Sequence, residues 1–413
     1  MGAAILSDHY LYTSQARYPI GELTAPAAIV RKCADLGITD LFLSGTHLQT
    51  ATRREPWQEE VQGGGGFWSL RGPENDLSAK LGLSYLHNAA TSDWLPSGFS
   101  ASVKAILTDL DALAAALKVK SLGYSPQWRG IACLAITRQQ HPAWFLGSKP
   151  KNPNHDAAPN FSIPIPWSSV GYCLHTYDKN ADYLACARTT PLGIGEPRYA
   201  KEFNPRRAGV WDVQAGKTLA NSYHTPIRLS GHYDTATVRA ALDRNTDVKV
   251  LGGWYYPESP TVLRAWAERV KAARQAVLDS TALPPLKALY TQSLGALAAE
   301  RADRQWTYRP HWWYAVLAES ARRMHMLLAA TPEIYACATD RIAVVTQERN
   351  PYIALPGCTP TNQDAPGRFR YLGSQIVSRE TCRQSKNVRN GAELFDWLDD
   401  RNSWENWGEE GLL

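Results

Sequence analysis

Two acidic residues, Asp178 and Asp340, stand where a carboxylate is costly unless something receives its charge. Asp178 ends the apolar run "VGYCLHTYD", and Asp340 interrupts "IYACATDRIAVV" between two apolar arms. A carboxylate at the end or turn of a buried strand needs solvent, hydrogen bonds or a cation. Two of them facing across one sheet can hold divalent metal ions. Mg²⁺ suits that role, because it takes a few carboxylates plus substrate phosphates. Between them in sequence lies Lys287, an ammonium able to meet the phosphates of a nucleotide. Acid, lysine and acid are together the parts for metal-assisted phosphoryl transfer. Taken singly, each also has an ordinary reading as a strand end, a solvated helix start or a polar turn.

The elements that must position these groups follow from pattern. A helix is predicted from Ala27 to Leu36, stopped by Gly37 and feeding a strand from Asp40 to Leu43. "VQGGGGFW" reads as a flexible loop, and "SVKAILTDLDALAAALKVK" as a periodic helix with Asp and Lys on its wet face. Residues 141–168 turn Pro- and Asn-rich, which places a domain boundary near residue 160. Strands are expected in "VGYCLHTYD", "AGVWDVQAG" and "DVKVLGGWYY". A helical zone opens at "SPTVLRAWAERV", with Ser259 as cap and Pro260 in the first turn. "LKALYTQSLG" continues it, and "HWWYAVLAESARRMHMLLAA" carries a Met/Leu stripe expected in the core. "IYACATDRIAVV" reads as a tight hairpin, and the remainder as loop-rich with an acidic, Trp-bearing tail.

Composition narrows the class. The 413 residues suffice for two or three domains, and 15 Trp is the one clear excess. A formal charge of +5 permits a polyanionic partner without demanding one. The seven cysteines are scattered, with no C-x-x-C pair, so free thiols in a reducing cytoplasm are expected. The first residues lack a secretory pattern, and no apolar run approaches membrane-spanning length. No His/Cys spacing suits zinc, and "AGKT" at 215–218 fails as a phosphate loop, since Trp211 stands where the first Gly is needed.

Three motifs in order carry a resemblance to the family-B DNA polymerases, and most to their protein-primed branch from phages and linear plasmids. "YDKNADYLACARTTPLGIGEP" is similar to the branch's D-x-N-S-L-Y-P followed by a P-L-P-x-G-x-P run. "KALYTQSLG" keeps the K-x3-N-x2-Y-G spacing at Lys287 and Gly295, and "YACATDRI" resembles the Y-x-D-T-D-S hairpin. "PGRFRYLG" at 366–373 is a weaker fourth match, to a segment leading into the thumb. The resemblance spans roughly 170–375. It implies a mixed α/β (α+β) right-hand core with palm, fingers and thumb. It also implies two Mg²⁺ (or Mn²⁺) ions on Asp178 and Asp340, with Tyr183 under the sugar of the incoming nucleotide. Lys287 would hold the triphosphate, helped by Lys271 or Arg274, and Gly295 would let the fingers helix approach the nascent pair. DNA primer-template and deoxynucleoside triphosphates are the implied partners, with a terminal or priming protein as a further one.

Departures from the pattern are Ala338 for the first hairpin Asp, Arg341 for its Ser, Thr291 for the Asn and Leu294 for the Tyr of the second motif. The early D-x-E of the family's RNase H-like exonuclease is missing, and Asp93 in "YLHNAATSDW" falls one residue late for another exonuclease motif. The expected domains are an N-terminal α/β domain at 1–160, degenerate exonuclease-like or unrelated, palm at 161–258, fingers at 259–300, palm with the hairpin at 301–350, and thumb with tail at 351–413. The expected function is nucleotidyl transfer in replication of a phage or mobile element. A catalytically inactive nucleic-acid-binding or accessory protein on the same fold is the rival, and transfer without a template a third reading.

Overall fold

The structure is a computed structural model of the chain. It describes residues 2–7, 9–19, 26–44, 61–63, 67–70, 85–88, 92–95, 102–122, 125–140, 159–215, 230–243, 247–300, 306–362 and 364–400. Two compact units emerge: Met1–Gln139 with Ala265–Ala296, and Gln140–Arg264 with Leu297–Leu413.

The chain opens with strands β1 (Gly2–Leu6), β2 (Tyr10–Thr13) and β3 (Arg17–Pro19), then helix α1 (Pro26–Asp35) and strand β4 (Ile38–Leu43). Gly37, at φ 67°, ends α1 in the left-handed conformation that glycine adopts without strain. Next come β5 (Val61–Gly63), β6 (Phe67–Leu70), β7 (Tyr85–Asn88), α2 (Val103–Ala116) and α3 (Pro126–Gln140). The seven strands form one sheet, β3-β2-β1-β4-β7-β6-β5. Within it β1, β4 and β7 run parallel. The loop expected at "VQGGGGFW" is corrected, since β5 and β6 pair antiparallel across that stretch. Val61 and Phe67–Leu70, which flank the glycines, are rich in strand formers and favour that pairing.

The acids of α2 are also corrected: they are anchors, not a wet face. Asp111 accepts from the Ala3 amide at 2.9 Å and the Ser14 hydroxyl at 2.6 Å. Asp109 accepts from the amide and hydroxyl of Thr281, at 2.8 and 2.7 Å. Those bonds replace water for the carboxylates and tie 265–296 into the first unit.

The second unit begins with β8 (Asn160–Ser162), β9 (Cys173–Lys179), α4 (Asp182–Thr189), β10 (Arg198–Ala200) and β11 (Gly209–Ala215). β12 (Gly231–Asp234), α5 (Thr235–Asp243) and β13 (Val248–Tyr255) follow. Helices α6 (Arg264–Ala276) and α7 (Leu283–Gly295) fall almost wholly in the first unit. The chain then supplies α8 (Pro310–Ala330), β14 (Ile334–Ala338), β15 (Arg341–Thr346) and α9 (Pro351–Ala354). It continues through β16 (Phe369–Ile376), α10 (Arg379–Asn387) and α11 (Gly391–Asp400).

Two antiparallel sheets organise this unit, β10-β13-β11-β12 and β16-β9-β15-β14-β8. The five-stranded sheet is covered on both faces. Tyr177, Ile342 and Val344 pack with Met324 and Leu328 of α8, while Leu174, Ala343 and Val345 pack with Leu394, Phe395 and Leu398 of α11. Strands buried on both sides favour apolar side chains at successive positions, as in β15, whereas β9 also buries His175 and Thr176.

Three expectations yield to the structure here. Ser259 is not a helix cap: α6 starts at Arg264, and the Ser259 hydroxyl donates to the Tyr256 carbonyl at 3.2 Å while accepting from the Ala208 amide at 3.0 Å. The Met/Leu stripe of α8 is only partly core, since Met324 and Leu328 are buried but Met326 is 53% exposed. The stretch after β16 is not loop-rich. It forms α10, opened by a Ser378/Thr381 capping box, and α11. The acidic Trp-bearing tail lies outside the described residues. All seven cysteines are free and buried. Among the described residues no helix is long and apolar enough to cross a membrane.

Candidate active site

The site is built where β9 meets the β14–β15 hairpin. β9 sits between β15 and β16, and its register sets Asp178 opposite both Arg341 and Arg370. Directly opposed residues share a face, so one carboxylate lies between two guanidinium-bearing neighbours. Arg370 reaches it loosely, Nη2 to Oδ2 at 3.5 Å. Arg341 is drawn away instead, with bidentate bonds of 2.7 Å to Asp399 and its guanidinium over the Phe395 ring.

Asp340 occupies the two-residue turn between Ala338 and Arg341, which pair across the hairpin. Its carbonyl accepts from the Lys179 amide at 2.9 Å, so the turn is stitched to the end of β9. Thr339, the other turn residue, has φ 60°, an unfavourable conformation for a β-branched side chain. Burial and then the nearby charge of Asp178 push the Asp340 carboxyl up to about 6, with Asp182 adding to the effect and Lys179 opposing it. With Arg341 paired to Asp178 and the Asp340 carbonyl bonded to the Lys179 amide, the structure brings Asp340 beside the end of β9 that carries Asp178.

Beyond β9 the chain reverses through Ala181, at φ 46° and ψ 46°, and enters α4 at once. The Asn180 amide donates to the Arg368 carbonyl at 2.8 Å, and the Asn180 carbonyl accepts from the Gly367 amide at 2.6 Å. Gly367 has φ 80°, and a Cβ there would lie 2.7 Å from that of Ala185, so both backbone and space require glycine. Tyr183, on the first turn of α4, is half-buried with its ring 6.1 Å from that of Trp313. Burial, then the charges of Asp340 and Asp182, push its hydroxyl pKa up. Tyr183 thus shares the neighbourhood of Asp340 and Asp182.

Asp182 was missed by sequence reasoning, which followed the motif spacing and passed over an acid where the pattern has Leu. It is buried, and its Oδ1 lies 3.0 Å from Nζ of the buried Lys179. Its other oxygen accepts from the Ser320 hydroxyl of α8. Nearby, Glu319 accepts from Arg322 at 2.8 and 3.0 Å and from Arg323 at 2.9 Å, and Arg323 also donates to Thr189 at 2.6 Å. Burial works against the Glu319 charge, but the two arginines hold its pKa below the usual range. Arg370 was also missed, although the Arg-Phe-Arg alternation of "PGRFRYLG" marks a strand with both arginines on one face.

Lys271, Arg274, Lys287 and Gly295 belong to the other unit. Lys287 is exposed on α7. On α6, Lys271 is half-buried and Arg274 buried, so Lys271 has the greater solvent access of the two expected helpers. A Cβ added at Gly295 would meet open space among the described residues, so that unit's own packing does not demand glycine.

For a divalent ion, the carboxylates of Asp178 and Asp340 are hard oxygen donors of the right kind, and mutual repulsion is what a dication would relieve. They number two: among the described residues no group of three or more His, Cys, Asp or Glu side chains is arranged to hold a metal.

No family model matches the chain, and no curated protein does. Among solved structures it is similar to Phi29 DNA polymerase complexed with primer-template DNA in the post-translocation binary complex. That match has a TM-score of 0.50 and 9% identity, and covers 91% of this chain and 84% of the other. The ternary complex of Phi29 DNA polymerase with primer-template DNA and incoming nucleotide substrates matches at a TM-score of 0.47, with the same identity and coverage. The likeness to the binary complex defines the fold: this is a right-hand polymerase-like α/β architecture.

Proposed function

We propose that this chain is a DNA polymerase-like nucleotidyltransferase that joins deoxynucleotides to a 3′-hydroxyl. The single observation behind it is the meeting of Asp178 and Asp340, remote in sequence, with Asp340 pushed up to about 6 partly by its neighbour's charge. Strongly perturbed carboxyl pairs cluster at sites that bind cations or transfer protons. On this reading Asp178 and Asp340 hold two divalent ions, Mg²⁺ or Mn²⁺. When bound, such ions supply activation of the attacking oxygen and neutralisation of the leaving pyrophosphate.

The chain's own residues take the remaining tasks. Tyr183 lies under the sugar and disfavours a 2′-hydroxyl. Lys287, with Lys271, takes the triphosphate, and Gly295 leaves room for the base pair. Palm is assigned to 161–258 and 301–350, fingers to 259–300, and thumb to 351–413. For the N-terminal region, the order β3-β2-β1-β4 with β1 and β4 parallel supports kinship with an RNase H-like exonuclease, one lacking the D-x-E acids. Replication of a phage or mobile element is the proposed setting, with a protein hydroxyl as alternative primer.

A second reading has its own observation. Arg370 already contacts Asp178, and among the described residues no third His, Cys, Asp or Glu completes a metal-holding group with the two acids, which favours a catalytically inactive, nucleic-acid-binding protein. Incubation with primed template, labelled deoxynucleotides and Mg²⁺ or Mn²⁺ separates the two. Extension that vanishes in Asp178→Ala and Asp340→Ala proteins upholds the transferase. DNA binding without extension upholds the inactive protein, and incorporation that ignores template composition identifies untemplated transfer.

A further inference from the structure

The four-stranded sheet of the second unit leaves aromatic side chains in water for which nucleotidyl transfer has no use. Register aligns Tyr199, Trp254, Val210 and Asp234 in one row across β10, β13, β11 and β12. Directly paired residues share a face, so all four side chains lie on the same side of the sheet. At one end Tyr199 and Trp254 are 55% and 50% exposed, with ring centroids 5.5 Å apart edge to face. At the other end Val210 and Asp234 line a cleft whose walls include Arg206, Arg207, Arg239 and Tyr256.

That cleft is cationic in effect. The Asp234 carboxylate is committed to the first turn of α5, accepting from the Ala236 and Thr237 amides at 2.8 and 3.1 Å and the Thr237 hydroxyl at 2.7 Å. Glu319, also in the wall, is neutralised by Arg322 and Arg323. Arg206 and Arg239 make no ion pair among the described residues. Tyr256 is 2% exposed, yet its hydroxyl lacks a hydrogen-bond partner there. A buried hydroxyl left so is costly unless a ligand oxygen completes it. Along the segment carrying Tyr199, the cations Arg198, Lys201, Arg206 and Arg207 outnumber the acids Glu196 and Glu202.

We propose that this face and cleft bind single-stranded nucleic acid, with unpaired bases stacked on Tyr199 and Trp254 and a backbone phosphate held by the cleft arginines and the Tyr256 hydroxyl. Aromatic rings accept any base face, and arginines track the backbone without reading sequence. The site goes beyond the transferase reading and stands without it, since it requires neither metal nor triphosphate.

The test is fluorescence anisotropy with a labelled oligo-dT of roughly 20 nucleotides. A blunt duplex of equal length serves as competitor, in EDTA without nucleotide. Oligo-dT is expected to bind more tightly than duplex. Trp254→Ala and Tyr199→Ala should each weaken it about tenfold, with Trp254→Phe restoring most of the loss. Arg239→Gln should reduce the slope of log affinity against log salt by about 0.7. Both aromatic side chains are exposed, so their variants fold, and circular dichroism verifies it. Wild-type affinity for oligo-dT in folded Trp254→Ala and Tyr199→Ala proteins overturns the proposal, as does failure of the wild type to bind. Concentration-dependent self-association lost in Trp254→Ala, with oligo-dT binding unchanged, overturns it in favour of a second copy. Asp178→Ala should bind oligo-dT normally. A wild type that binds oligo-dT through Tyr199 and Trp254 yet extends no primer sinks the transferase reading alone, and one that extends primers while Trp254→Ala and Tyr199→Ala bind oligo-dT as wild type sinks this site alone.

Discussion

Lys179 and Asp182 form a buried ion pair, Nζ to Oδ1 at 3.0 Å, between the candidate catalytic strand and the helix that carries Tyr183. Desolvating two charges costs much of what their attraction returns, so the pair contributes little net stability, whereas a widowed charge is expensive. Asp182→Leu or Lys179→Met alone should destabilise by about 3–5 kcal/mol, and the double variant should recover most of that. Urea unfolding midpoints of the four proteins check it. Additive losses would show that the two groups do not depend on each other.

Asp340 sets a pH dependence with a definite sign. Its folded pKa of about 6 exceeds the unfolded value of about 3.9, so the native state holds the extra proton between those limits. Stability therefore falls as pH rises from about 4 to 6. Buried Asp234, also pushed up to about 6 by desolvation, acts in the same direction. Asp340→Asn should flatten part of the slope. A bound divalent ion needs the ionised carboxylate, so Mn²⁺ should raise the melting temperature more at pH 7.5 than at pH 5, and not at all in Asp340→Asn. Equal shifts at both pH values would place the ion elsewhere.

Arg370 competes for Asp178. The contact is long and partly exposed, which places its strength in the range of about 0.2–1 kcal/mol. Arg370→Gln should then tighten Mn²⁺ binding by up to about fivefold, as measured by titration calorimetry. Weaker binding in the variant would mean that the arginine orders the site and does not block it.

Two left-handed residues flank the acids, Ala181 at φ 46° and Thr339 at φ 60°. Such conformations cost on the order of 1–3 kcal/mol outside glycine. Ala181→Gly and Thr339→Gly should each raise stability by about 1 kcal/mol, the entropy of the unfolded chain offsetting part of the gain. Thermal unfolding reads this directly, and a loss in both variants would deny the strain.

Gly295 closes α7 with open space where a side chain would be. Gly295→Ala should stabilise the first unit by about 0.5–1 kcal/mol through helix propensity. If the fingers role is right, nucleotide incorporation should fall in the same protein. Unchanged incorporation would remove Gly295 from the site.

Much of the local structure was legible. The apolar run into Asp178 is β9, and "IYACATDRIAVV" is the β14–β15 hairpin with Asp340 in its turn. Helix α10 was not legible, because "RETCRQSKN" has no apolar stripe and is marked mainly by its Ser378/Thr381 cap. Ser259 deceived in the opposite sense, a good capping residue used by a loop.

By itself the sequence determined which segments are strands and helices and in what order the acids, tyrosine and lysine occur, because propensity, apolar runs and turn chemistry act over a few neighbouring residues. Only the tertiary structure decided that Asp178 lies opposite Arg341 and Arg370, that the Asp182 carboxylate accepts from the Ser320 hydroxyl of α8, and that 265–296 joins the first unit. Those are outcomes of register and packing between distant segments, where slipping a strand by one residue moves every side chain to the other face while leaving its local pattern unchanged.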